Sequence, residues 1–155
     1  MKLAIMKNNA PFLEKLKEGI STLEEAVAIP SLASIGCRNH GPTYLATALG
    51  NLAIGYTGLA RVSEDKAAIL HKAIAVFEKL LALYPSGKFP VDYALSAYNM
   101  ANTYAALAEV ENPNVNLSQA IFLCEAAFDI LNSLNDQRAQ IVSVSLETLR
   151  SRLIS

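Results

Sequence analysis

The sequence contains no tryptophan and only two cysteines, Cys37 and Cys124, in 155 residues. Two cysteines allow a single bridge and no disulfide framework, so a reduced, cytoplasmic setting is expected. Charge is scarce as well. Asp, Glu, Lys and Arg make up 17% of the chain, against roughly 25% in average domains. The net charge is −1 and no basic run occurs, which removes the electrostatic footprint that nucleic acid or an anionic membrane would need. No segment alternates apolar and polar residues with a period of two, so strands are not expected. The opening M-K-L-A-I-M-K has too few apolar residues between its lysines for the core of a signal peptide.

Apolar side chains are abundant, at 52% of the residues. The length suits one domain, 1–155, with a proper core. The apolar surplus predicts a face turned to a partner protein, to a second copy or to the rest of a larger protein.

The stretch 42–60, P-T-Y-L-A-T-A-L-G-N-L-A-I-G-Y-T-G-L-A, holds no charged residue. Pro42 fits a first helical turn, where its missing N–H costs nothing. Leu45, Leu49, Leu52, Ala53 and Tyr56 follow at helical spacing, with Ala46, Thr47, Gly50, Ile54 and Gly58 opposite. A helix without a charged face is expected to be covered on more than one side. The stretch is almost long enough to span a bilayer. Its glycines, threonines, asparagine and tyrosines, and Asp92 in its copy, make no membrane the better expectation.

That copy is 90–108, P-V-D-Y-A-L-S-A-Y-N-M-A-N-T-Y-A-A-L-A. Asn51 aligns with Asn99, Leu52 with Met100, Ala53 with Ala101 and Tyr56 with Tyr104, a constant offset of 48 (104 − 56). Tyr56 and Tyr104 are therefore expected to do equivalent packing jobs. L-H-K-A-I-A-V-F-E-K-L-L-A-L from Leu70 recurs as L-S-Q-A-I-F-L-C-E-A-A-F-D-I from Leu117, offset 47 (117 − 70). Repetition at such a period points to stacked helical units.

The periodicity predicts about six helices and an all-α fold. The first begins near Pro11 and ends at Pro30, and 31–41 forms a connector. The third is capped by Ser63 with Glu64 and Asp65 and runs to about Tyr84. The fourth reaches about Glu109. Asn116 with Gln119 reads as a capping box opening the fifth, and the sixth spans about 135–153. The units are 11–30 (partial), 42–85 and 90–132, followed by a C-terminal capping helix, 135–153.

The patterns N-L-A-x-x-Y … A-I-x-x-F-E … P and N-M-A-x-x-Y … A-I-x-x-C-E resemble the tetratricopeptide repeat, in its long-period bacterial version. The family's usual period is 34 residues, so this chain implies longer helices. Leu80 stands where the family has a small residue, and Asn132 where it has a proline. The resemblance implies a right-handed superhelical stack of antiparallel helix pairs and a non-enzymatic protein-binding or peptide-binding scaffold. It places the concave face on Thr47, Gly50, Asn51 and Ile54, then on Leu95, Tyr98, Asn99 and Asn102. Asn51 and Asn99 match an asparagine by which peptide-binding relatives hold ligand backbone. The alternative is that these asparagines only satisfy polar contacts between helices. The cations by which some relatives grip a carboxylate have no counterpart, so the implied partner is uncharged or apolar. Homo-oligomerisation, or service as a regulatory arm of a larger bacterial signalling assembly, is the other reading.

No enzyme signature emerges. Cys37-x-x-His40 has ligand spacing, but structural zinc takes four ligands, and Cys124 and His71 lie on separate helices. Cys124 falls on a core stripe, a poor place for a nucleophile. The pairs Glu24–Glu25 and Glu64–Asp65 point to different helix sides. Gly50, Gly55 and Gly58 have no phosphate-loop spacing and suggest close helix packing. Neither a metal nor another cofactor is expected.

Overall fold

The computed structural model describes residues 2–30 and 44–154, with side chains for 10–30 and 44–153. Within them lie six α-helices and no strand: α1 (Lys2–Val27), α2 (Tyr44–Val62), α3 (Lys66–Leu83), α4 (Pro90–Leu107), α5 (Pro113–Ser133) and α6 (Arg138–Ile154). Pro42, Cys37, His40 and the connector 31–41 lie outside the described residues.

The expected helix starts need four corrections. Helix α1 begins at Lys2 and carries Pro11 inside it; residues 2–9 are mostly good helix formers, which extend the helix upstream of the proline. Helix α5 opens at Pro113, three residues before the expected cap. Pro113 supplies the preorganised first turn, and Asn112 takes the left-handed conformation before it, with φ 42°. Asn116 is then inside the helix and buried, its Nδ2 donating to the Glu111 carbonyl at 2.7 Å. Ser63 closes α2 instead of opening α3, since its hydroxyl donates to the Leu59 carbonyl at 2.8 Å. Asp65 precedes α3 without a side-chain capping bond. Helix α6 starts at Arg138, after Asn135 at φ 54°. The Asp136 carboxylate accepts the Arg138 backbone N–H at 2.9 Å and its guanidinium at 2.6 Å. Those contacts hold the Asp136 carboxyl down at about 2.

Each helix packs on its neighbours in chain order, from α1 on α2 through α5 on α6, and α2 also meets α4. Two apolar clusters fill the seams. The smaller joins α1 to α2 and α3 through Ile20, Leu52, Tyr56 and Ala73. The larger runs from Ala46 through Phe77, Met100 and Leu131 to Leu149. Buried alanines, among them Ala53, Ala94, Ala97 and Ala101, let the backbones of α2 and α4 approach their neighbours.

Polar bonds repeat the sequence period. Thr57 and Thr103 share a hydroxyl bond of 2.9 Å, Tyr98 and Ser145 one of 2.8 Å, and Arg152 donates to the Ala105 carbonyl at 3.2 Å. The separations are 46, 47 and 47 residues. The first of these bonds ties α2 to α4, and the other two tie α4 to α6.

Helix α2 is covered on more than one side, by α1 and by α3, and Thr47, Asn51 and Ile54 remain exposed. One further expectation changes. Tyr56 is 8% exposed, whereas Tyr104 is only half-buried. The Tyr56 hydroxyl donates to the Glu24 carboxylate of α1, and Tyr104 lies near Glu78 of α3. Each glutamate lies on the helix that precedes its tyrosine, but α1 closes more tightly over its tyrosine. One glycine explains the approach: a Cβ on Gly55 would come within 3.2 Å of Ile20 Cγ1, while Gly58 has open space and Gly50 ordinary contact.

Candidate functional site

The expected concave-face residues fall into two groups. Helices α2 and α4 present side chains at helical spacing to a shallow groove of about 190 Å³. Thr47, Asn51, Ile54, Leu95 and Asn99 all line it. Tyr98 and Asn102 do not. Tyr98 is half-buried and its hydroxyl is held by Ser145 of α6, so it braces α4 against α6. Asn102 is exposed farther along α4.

The groove also contains Leu80, Tyr84, Asp92 and Ser96, which sequence reasoning missed. Asp92 was legible: positions 92, 95, 96 and 99 fall on one helical face. Leu80 and Tyr84 come from α3 and its end, and only packing brings them there. Tyr84 is buried and meets the Phe89 ring edge-on, with centroids 5.9 Å apart. This contact anchors the turn that leads into α4.

Among the described residues that line the groove, Asp92 alone carries an acidic or basic side chain of the Asp, Glu, Lys, Arg or His type. Burial, and then the Asp92 carboxylate, push the Tyr84 phenol above its ordinary range. The remainder is amide, hydroxyl and aliphatic surface, with Ile54 51% exposed. Such a surface can form neutral hydrogen bonds and bury apolar groups; it offers no nucleophile beside a base.

Other candidate chemistry is dispersed. Cys124 is fully buried, with its thiol 3.6 Å from the Val142 carbonyl. Burial, and secondarily the Glu125 charge, push it up to about 11, away from the thiolate that a nucleophile requires. His71 Nε2 meets Glu111 Oε1 at 2.6 Å on the surface. Among the described residues no three His, Cys, Asp or Glu side chains converge on a metal position. Among them also, no helix is long and apolar enough to cross a membrane. A larger cleft of about 730 Å³ lies between α1 and the α2–α3 turn, with Phe12, Leu13, Val62 and Ile69 among its walls. Its charges, Lys17, Arg61, Lys66, Glu64 and Asp65, are of both signs.

No family model, curated protein or solved structure matches the chain.

Proposed function

We propose that this chain is a non-enzymatic protein-binding or peptide-binding scaffold, built as a right-handed superhelical stack of tetratricopeptide-like units. In this reading α2–α3 and α4–α5 are antiparallel pairs, and α6 closes the stack at its C-terminal end. The partner lies along the face formed by α2, α4 and α6. The observation that carries the reading is the α2–α4 groove, where five residues expected to contact a partner line one surface. The polar bonds from Thr57 to Thr103 and from Tyr98 to Ser145 support it, because they tie α2 to α4 and α4 to the closing helix α6.

The groove chemistry favours an uncharged or apolar partner surface in this reading. Asn51 and Asn99 offer amide donors and acceptors to an extended backbone, and Ile54 and Leu95 offer apolar contact. Among the described lining residues Asp92 is the single charged type, so one basic group near the start of α4 is accommodated and acidic segments are disfavoured. Tyr98 acts as a brace and is not a contact residue in this scheme.

Affinity capture from a cell extract, compared between wild type and an Ile54→Lys, Asn99→Ala double variant, tests the proposal. Both substitutions are at positions with little or partial burial, so circular dichroism should be unchanged. The expected result is a protein retained by wild type and lost from the variant. With the captured protein purified, calorimetry should show a loss of about 1–2 kcal/mol for Asn99→Ala alone, from backbone groups left unpaired. Equal capture by both proteins would refute the groove as the binding face.

A further inference from the structure

The seam between α2 and α4 holds two cavities. In the first, the groove already described, residues between 46 and 54 of α2 meet residues between 92 and 99 of α4. The second encloses about 410 Å³. There Thr57, Ala60 and Arg61 of α2 meet Ala106, with Glu109 and Val110 just past the end of α4. At the junction, Thr57 and Thr103 join the helices through their hydroxyls. Both helices therefore run the same way along the seam, and their contact stripes continue from one cavity into the next. On α2, Arg61 follows Thr47, Asn51 and Ile54 at steps of four, three and seven residues. On α4, Ala106 follows Leu95 and Asn99 at steps of four and seven.

The two ends of the seam differ in charge. Asp92 lies at the first, and Arg61 and Lys66 line the second. Among the described residues neither cation has an ion-pair partner. Glu109, the carboxylate in that cavity, has Arg152 at 3.8 Å. Glu64 and Asp65 border the cleft toward α1, which Arg61 and Lys66 also reach, but they do not line this cavity. At the other end, Arg138 of α6 is within electrostatic reach of Asp92, but its guanidinium already holds the Asp136 carboxylate at 2.6 and 2.8 Å. We infer that the partner is an extended segment with a fixed charge order along this seam: a basic side chain at Asp92, an acidic side chain between Arg61 and Lys66, and neutral or apolar residues between. This rests on the reading of the α2–α4 face as a partner-binding site. The exclusion of acidic groups beside Asp92 is reversed at the far end, and the opposite placement would set like charge against like at both. From Asp92 to Thr103 is 11 residues (103 − 92), and from Thr57 to Arg61 four more (61 − 57), about 22 Å at the helical rise. An extended chain covers that distance in about seven residues.

Selection of phage-displayed random dodecapeptides on the immobilised full chain tests the charge order. The peptides are fused through their C-terminal ends, so no free terminal carboxylate is presented. Binders are expected to carry a Lys or Arg and an Asp or Glu about seven residues apart. Selection on Arg61→Glu should lose the acidic preference, and selection on Asp92→Asn should lose the basic one and keep the acidic. Arg61 and Lys66 are exposed, so substitutions there should leave circular dichroism unchanged. The best wild-type binder, synthesised with blocked ends, supplies a second readout. Replacing its acid by the amide should weaken binding about fivefold on wild type and have no effect on an Arg61→Gln, Lys66→Gln double variant. Binders with no acidic preference, or with the same preference on Arg61→Glu, overturn the inference and leave the groove reading standing. A library from which wild type enriches no peptide overturns both.

Discussion

Removing the Tyr56 side chain tests how α1 is held to the rest of the fold. The ring lies in the small cluster with Ile20, Leu52 and Ala73, its hydroxyl donates to Glu24, and Lys72 Nζ sits 6.0 Å from its centroid. Truncation to alanine deletes a nearly buried aromatic and leaves a void that the helices can only partly close. The expected cost is about 3–5 kcal/mol, as for other large buried aromatics. Tyr104 is half-buried, so Tyr104→Ala should cost about half as much, since less apolar surface leaves water. Tyr56→Phe keeps the ring and loses one hydrogen bond. Glu24 is exposed and can turn to water, so that loss is about 1 kcal/mol. Urea melts of the three variants give the ordering. Hydrogen exchange adds a spatial readout: in Tyr56→Ala, protection should fall first in α1, whose described contacts run through this cluster. A Tyr104→Ala variant at least as damaged as Tyr56→Ala would refute the packing argument.

Alkaline stability follows from the same groups. Burial, then the hydrogen bond and charge of Glu24, raise Tyr56 from 10.0 to about 12, and burial raises Cys124 from 9.0 to about 11. Both are favoured in the protonated form when folded, so their contributions are complete below the unfolded values and lost as pH rises through the folded ones. The melting temperature should fall between pH 9 and pH 12, and Tyr56→Phe should flatten the upper part of that decline; an unchanged profile in the variant would contradict it. The Cys124 thiol should resist an aromatic disulfide reagent in the native protein and react fully in urea, and rapid native labelling at this position, mapped by peptide mass, would show that α5 and α6 open readily.

Much of the helical architecture is legible in the sequence. The helical period, the proline at 90 and the 48-residue recurrence of N-x-A-x-x-Y point to the helices that the structure contains. These are local signals: the chain's own backbone chemistry sets them, whatever packs nearby. Helix starts were less legible where two local signals competed. Asn116 and Gln119 match a capping box, but Pro113 already supplies a first turn, and a helix has only one start. Ser63 could serve either neighbouring helix, and its hydroxyl goes to the one that leaves a carbonyl within reach.

The groove shows the same division. The α2 and α4 stripes place Thr47, Asn51, Ile54, Leu95 and Asn99 on one surface because residues three, four and seven apart share a helix face. Tyr98 lies beside that stripe in sequence, and nothing local reveals that Ser145, 47 residues away, takes its hydroxyl. Nor does sequence tell Tyr56 from Tyr104, which occupy the same place in the repeat. Only the tertiary structure separates them, because α1 closes over the first more completely than α3 does over the second. Periodicity alone determines which residues share a face. How far a neighbouring helix covers that face is decided by packing between segments distant in the chain, and that packing makes one position a brace and another an open contact.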